Sequence, residues 1–102
     1  MGVVVVIRFP VSDVANAIAG LHTQATFLEE ISESTKSSGL HRHQFASGDG
    51  ELVVIDEWES AQQFQGFFDG NPRVAEVMSA VGMTGAPDVS IFETVDAPGN
   101  VL

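Results

Sequence analysis

The spacing of apolar residues predicts one α+β domain with elements in the order β-α-β-β-α-β, a four-stranded antiparallel sheet carrying helices on one face. Three observations carry this expectation. The chain starts with a valine-rich run, two longer segments place apolar residues every third or fourth position, and a Gly-Asp-Gly turn joins two alternating runs near the middle. With 102 residues there is room for a single domain, expected over 1–102.

The first strand is expected over Val3–Phe9, where β-branched side chains suit a pleated backbone. Its apolar residues are consecutive rather than alternating, so both faces should be covered. Pro10 has no N–H to donate and should end the ladder. Ser12 or Asp13 can cap a helix whose stripe runs Val14, Ile18, Leu21, Ala25 and Leu28, with Gly39 as its stop. Glu29, Glu30 and Glu33 oppose the macrodipole there, which predicts a frayed last turn.

Residues 40–46 and 51–58 read as a hairpin across Ser47-Gly48-Asp49-Gly50. A loop centred on Gly48-Asp49 pairs Ala46 with Glu51, Phe45 with Leu52, His43 with Val54 and His41 with Asp56. Side chains alternate, so His41, His43, Phe45, Leu52, Val54, Asp56 and Trp58 should share one face, with Leu40 on the other. Ser60-Ala61-Gln62-Gln63 matches a capping box for a helix that carries Phe64, Phe67 and Phe68 inward. Gly70-Asn71-Pro72 interrupts it, and Val74, Val77, Met78 and Val81 continue the stripe. The last strand is expected over Val89–Val95, followed by a loose tail at Pro98-Gly99. The whole order is that of a ferredoxin-like domain. Val53, Ile55, Val89 and Ile91 add to an apolar sheet face that no helix covers, which predicts a two-fold homodimer, sheet against sheet.

Composition narrows the function classes. Fourteen acidic residues against four basic ones give a net charge of −10, a surface that repels nucleic acid and anionic membranes. Cysteine is absent, so thiolate chemistry and disulfides are excluded. The apolar start is too short to cross a bilayer and lacks the features of a secretion signal, so the expected location is the cytoplasm.

Glu57-Trp58-Glu59-Ser60-Ala61-Gln62-Gln63-Phe64, after a valine-rich strand and a hairpin that starts at Gly39, resembles the core signature of the antibiotic biosynthesis monooxygenase (ABM) superfamily. The resemblance runs from about Val3 to Val95. It implies a dimeric α/β barrel whose members oxidise polycyclic aromatic substrates without a cofactor, degrade haem, or have no assigned activity. It also implies that Trp58 faces a cleft between sheet and helices. Haem-degrading members carry a His on the second helix and an Asn on the first strand. Here those regions read Phe67, Val74 and Val77, and Ile7-Arg8-Phe9, which argues against haem; no cofactor is expected.

His41 and His43 sit two apart on one strand opposite Asp56, and an imidazole beside a carboxylate can act as a general base. The same three could instead hold a divalent metal, or the histidines could lie idle at a wet edge. Trp58 offers a flat surface for an aromatic ligand or simply fills the core. Phe64, Phe67 and Phe68 are core or the apolar wall of a cavity. His22 flanks the first helix's stripe, Arg8 could pair with Glu57 or Glu93 or hold an anionic substrate, and Asn71 could open a cleft mouth at the helix break. The expected catalytic set is therefore His41, His43 and Asp56, and the expected binding set is Trp58, His22, Arg8, Phe64, Phe67, Phe68 and Asn71. The leading reading is a protein that binds a small apolar or aromatic molecule and oxygenates it without a cofactor. A non-catalytic binding or assembly module and a proton-transferring isomerase or cyclase remain alternatives.

Overall fold

The valine-rich run forms β1 (Val3–Pro10), an inner strand of a four-stranded antiparallel sheet, in a computed structural model that describes residues 2–101. The two end residues of the expected domain lie outside that range. Chain order continues with α1 (Val14–Thr23), α2 (Ala25–Lys36), β2 (Leu40–Gly48) and β3 (Glu51–Trp58). It ends with α3 (Ala61–Gly70), α4 (Pro72–Ala80) and β4 (Asp88–Glu93). The strand order β2-β3-β1-β4 is the ferredoxin-like arrangement expected from the sequence.

Burial on β1 alternates although its hydrophobicity does not. Val3, Val5, Ile7 and Phe9 are buried beneath the helices, while Val4 and Val6 are half-buried on the opposite face. Each fully buried aliphatic or aromatic side chain of this size contributes about 1.5–3 kcal/mol, so the inner face of β1 is a principal source of stability. Pro10 closes the ladder opposite Glu51, and Val11 then makes an isolated bridge to Met83.

Both predicted helices are broken in two. Asp13 rather than Ser12 caps α1, its carboxylate accepting from the Asn16 N–H at 3.1 Å. At Gln24 the backbone leaves the helical region (φ −104°, ψ 17°), and α2 starts without a side-chain cap. Within α1 the buried position is Ala17, fully buried, rather than Ile18, which is 37% exposed. Small residues are required on this side because α1 approaches α4 closely, and a Cβ at Gly20 would overlap the Ala80 carbonyl. The helix α2 runs to Lys36. Thr35 Oγ1 donates to the Ile31 carbonyl at 2.7 Å, and Lys36 answers Glu33 at 2.9 Å. Gly39 follows at φ +107°, the left-handed conformation that glycine adopts without strain.

At Ser60 half of the capping box forms. The Gln63 N–H donates to Ser60 Oγ, but the Gln63 side-chain oxygen accepts from the Ser60 hydroxyl instead of reaching the backbone. Asn71 Oδ1 accepts from the Arg73 N–H and Pro72 occupies the first turn, so the break between α3 and α4 is a helix start in its own right. The last strand is shorter than expected, and its register places Ile91 opposite Val5 and Val89 opposite Ile7, both on the helix side. The open face is instead completed by Phe92, 55% exposed and opposite Val4. Beyond it the tail makes a turn at Pro98-Gly99, with Asn100 Nδ2 donating to the Val95 carbonyl.

Candidate active site

The hairpin turns at Asp49-Gly50, with Gly48 paired to Glu51. The expected register is therefore displaced by two residues. His43 faces Asp56, Phe45 faces Val54, and Leu40 faces Trp58. A slip of two preserves which face each side chain occupies, so the sharing of one face by His43, Phe45, Leu52, Val54, Asp56 and Trp58 survives. His41 does not follow them. The ladder skips from Leu40 to Arg42, making His41 the extra residue of a bulge. The bulge brings Leu40 onto the helix side and leaves His41 exposed.

Beneath the helices lies a cavity of about 90 Å³. Its floor is the sheet, through Ile7, Phe9, Leu52 and Val54, and its roof comes from Leu28 and Ile31 of α2 and Val74, Val77 and Met78 of α4. Phe64, Phe67 and Phe68 close one end, Phe64 stacking on Phe68 with ring centres 5.3 Å apart. Arg73 lies over the Phe27 ring at 5.1 Å and ties α4 to α2 above the cavity.

One polar chain crosses this apolar wall. Asp56 accepts from His43 Nδ1 at 2.6 Å through one oxygen and from Trp58 Nε1 at 3.1 Å through the other. The carboxylate side chain is 6% exposed and the imidazole 30%. A carboxylate can only accept, so Nδ1 carries the hydrogen and Nε2 of the neutral ring keeps its lone pair. Trp58, 1% exposed, meets the Phe67 ring at 5.5 Å and the Phe64 ring at 5.8 Å. It belongs to the core and to the cavity wall at once, and its N–H fixes the second oxygen of Asp56. The arrangement holds an imidazole by a buried carboxylate, the carboxylate being held in turn by a buried indole.

The remaining predicted residues fall elsewhere. Arg8 is on the open face, its guanidinium bonded to both oxygens of Glu51 at 2.9 and 3.0 Å rather than to Glu57 or Glu93. This bidentate pairing lowers the Glu51 carboxyl below its ordinary range and raises Arg8. Glu57 pairs with Arg42 instead, at 3.4 Å. Asn71 serves as a helix cap, and His22 borders a separate outer groove. Among the described residues no group of three His, Asp or Glu side chains could hold a metal ion, since the bulge separates His41 from Asp56. Ile31 joins the wall without having been named from the sequence, Leu40 was expected on the other face, and Val74 was read only as part of the helix stripe; the bulge that turns Leu40 inward leaves no local mark in the sequence.

Solved structures share this fold over almost the whole chain. A monooxygenase from the gene ActVA-Orf6 of Streptomyces coelicolor, solved with the ligand nanaomycin D, matches with a TM-score of 0.72 and 25% identity, covering 98% of this chain and 93% of that one. Among this chain's structural neighbours are proteins described as antibiotic biosynthesis monooxygenases, from Bordetella bronchiseptica and Caulobacter crescentus. SnoaB of Streptomyces nogalater, a cofactor-independent oxygenase, matches the ABM-like chain at a TM-score of 0.65 and 18% identity, over 97% of this chain and 98% of that one. A dimeric ferredoxin-like protein from an uncultured marine organism matches at 0.71 and 11%, over 98% and 93%. The last two are likenesses of fold. No protein-family model and no curated protein matches the sequence.

Proposed function

We propose that this chain is an ABM-like monooxygenase acting on a neutral, apolar aromatic molecule bound between sheet and helices, with His43 as the base. The observation that carries the reading is the His43–Asp56–Trp58 chain set in an otherwise apolar wall. The similarity to a monooxygenase at 25% identity, with a likeness of fold to a cofactor-independent oxygenase, supports the same chemistry. Nε2 of His43 takes a proton from an acidic phenol, enol or ring CH₂, and Asp56 stabilises the imidazolium that forms. The resulting electron-rich anion gives electrons to dioxygen. Where a ring CH₂ becomes a carbonyl, O₂ accepts four electrons; one oxygen atom stays on the product and the other leaves as water with the two hydrogens. A net charge of −10 disfavours a ligand that arrives as an anion.

Oxygen consumption with an anthrone-type substrate tests the proposal. The expected result is uptake above the buffer rate, equimolar with substrate, abolished by His43→Ala and retained by His41→Ala. One observation favours a second reading, a non-catalytic binding module: the cavity is small, about 90 Å³. Quenching of Trp58 fluorescence by the same compound without oxygen uptake would decide for that module.

The open sheet face supports self-association as part of the same reading. Val4, Val6, Val53 and Ile55 adjoin Phe92, and the Arg8–Glu51 and Arg42–Glu57 pairs border them. Packing this face on a second copy would bury it and leave the helix side, with its cavity, free in each protomer.

A further inference from the structure

The roof of the cavity is fastened less firmly than its floor. Ile7, Phe9, Leu52 and Val54 beneath it are buried on the two inner strands. Above it, α4 contains no buried residue, and α2 contains one, Thr35 in its last turn. Both helices are secured at their C-terminal ends. Thr35 holds α2 there, while Val81, directly after α4, is buried and the Ala80 carbonyl lies against Gly20 of α1. Their N-terminal ends begin where the backbone leaves the helical region, at Gln24 before α2 and at Asn71 (φ −108°, ψ 108°) before α4. Such element-terminal residues are where a hinge places its rotation. A segment with few buried apolar contacts also opens at a lower free energy than the core beneath it.

One side-chain contact spans the two hinged ends. Arg73, in the first turn of α4, places its guanidinium 5.1 Å from the centre of the Phe27 ring, in the first turn of α2. The other Lys and Arg side chains, Arg8, Lys36 and Arg42, pair with Glu51, Glu33 and Glu57. Among the described residues Arg73 has no carboxylate partner, although the chain carries a net charge of −10. Its partner is the ring. We propose that Arg73 and Phe27 form a clasp that holds α2 and α4 closed over the cavity. When the clasp releases, the helices part by rotation at Gln24 and Asn71, and the space lined by His43 and Trp58 opens. The device is separate from the reaction proposed above, so its test needs no turnover. An exposed cation–π contact shifts a closed–open balance by about two- to fivefold, enough to hold the roof down while leaving it free to lift.

Acrylamide quenching of Trp58, the sole tryptophan and 1% exposed, reads the opening, and amide hydrogen exchange locates it. Arg73→Gln and Phe27→Leu are each expected to raise the quenching constant by about two- to fivefold. Exchange of the α2 and α4 amides is expected to rise with it, and that of β1 and β3 to stay as in the wild type. Arg73→Lys keeps a cation over the ring and is expected to restore most of the protection. Lys36→Gln removes the same charge from the far end of α2 and is expected to change neither reading. The double variant Arg73→Gln/Phe27→Leu is expected to open no further than either single one, because both remove one contact. Arg73 is exposed and Phe27 half-buried, so should Phe27→Leu fail to fold, Arg73→Gln carries the test. Unchanged quenching in a folded Arg73→Gln protein would overturn the clasp. Exchange that rises equally in β1 and β3 would overturn it too, since the whole fold would then be loosened rather than its roof.

Discussion

Replacing Asp56 by Asn tests the buried polar chain most directly. The carboxylate accepts from His43 and Trp58 through separate oxygens, at 2.6 and 3.1 Å. An amide has one oxygen and one NH₂, so it accepts from only one of these donors. With the oxygen on Trp58, its NH₂ faces His43, whose ring must move its hydrogen from Nδ1 to Nε2 to accept, and the charge-assisted bond is lost. The loss is one hydrogen bond to a charged acceptor, about 1.5–3 kcal/mol, of the same order as the cost of leaving a buried donor unpaired. Asp56→Asn is therefore expected to destabilise the fold by about 2 kcal/mol, which for a domain of this size lowers Tm by about 8–16 °C. Urea unfolding followed through Trp58, the sole tryptophan, gives the midpoint and slope, and thermal melting gives an independent value. A cycle with His43→Phe isolates the imidazole–carboxylate coupling, expected at about 1–3 kcal/mol for groups in contact. The reasoning fails if Asp56→Asn costs less than about 0.5 kcal/mol, the range of ordinary surface changes. It fails equally if the cycle shows no coupling, because the carboxylate would then be solvated in solution rather than held.

Other expectations follow from particular contacts. Gly20→Ala drives a Cβ into the Ala80 carbonyl, so α1 must shift from α4; a loss of about 1–3 kcal/mol in urea unfolding is expected, and unchanged stability would mean the helices lie further apart. Ile55→Asp places a charge in the open apolar face and should convert a dimer to a monomer in sedimentation, with Val6→Asp doing the same; a wild type already monomeric at micromolar concentration contradicts the two-copy reading. Glu51 binds its proton less readily in the folded chain than in the unfolded one because Arg8 holds its anion. The pair's contribution is thus present above the ordinary carboxylate pKa and fades as pH falls through the depressed value. Arg8→Ala should move the Glu51 titration upward in a carboxyl NMR experiment, and an unmoved midpoint would show the ion pair to be absent in solution.

The order of elements was legible in the sequence because each follows from neighbours along the chain. Asp13 and Ser60 at helix starts, Pro72 in a first turn, Gly39 at positive φ and the β-branched run of β1 are local preferences that packing had no reason to override. The face shared by His43, Asp56 and Trp58 was legible too, since side chains alternate with a period of two and any even slip leaves the face intact. For the same reason the register was not legible. Gly48, Asp49 and Gly50 all suit a turn, and only the pairing of whole strands selects Asp49-Gly50 and gives His43 rather than His41 to Asp56. The bulge at His41, the break at Gln24 and the turning of Val89 and Ile91 towards the helices arise from contacts between segments far apart in the chain. Sequence determined which residues could build a base beside an apolar hollow. Tertiary structure decided which of them stand together there, because that arrangement depends on strand registration and interhelical approach, neither of which is a local property.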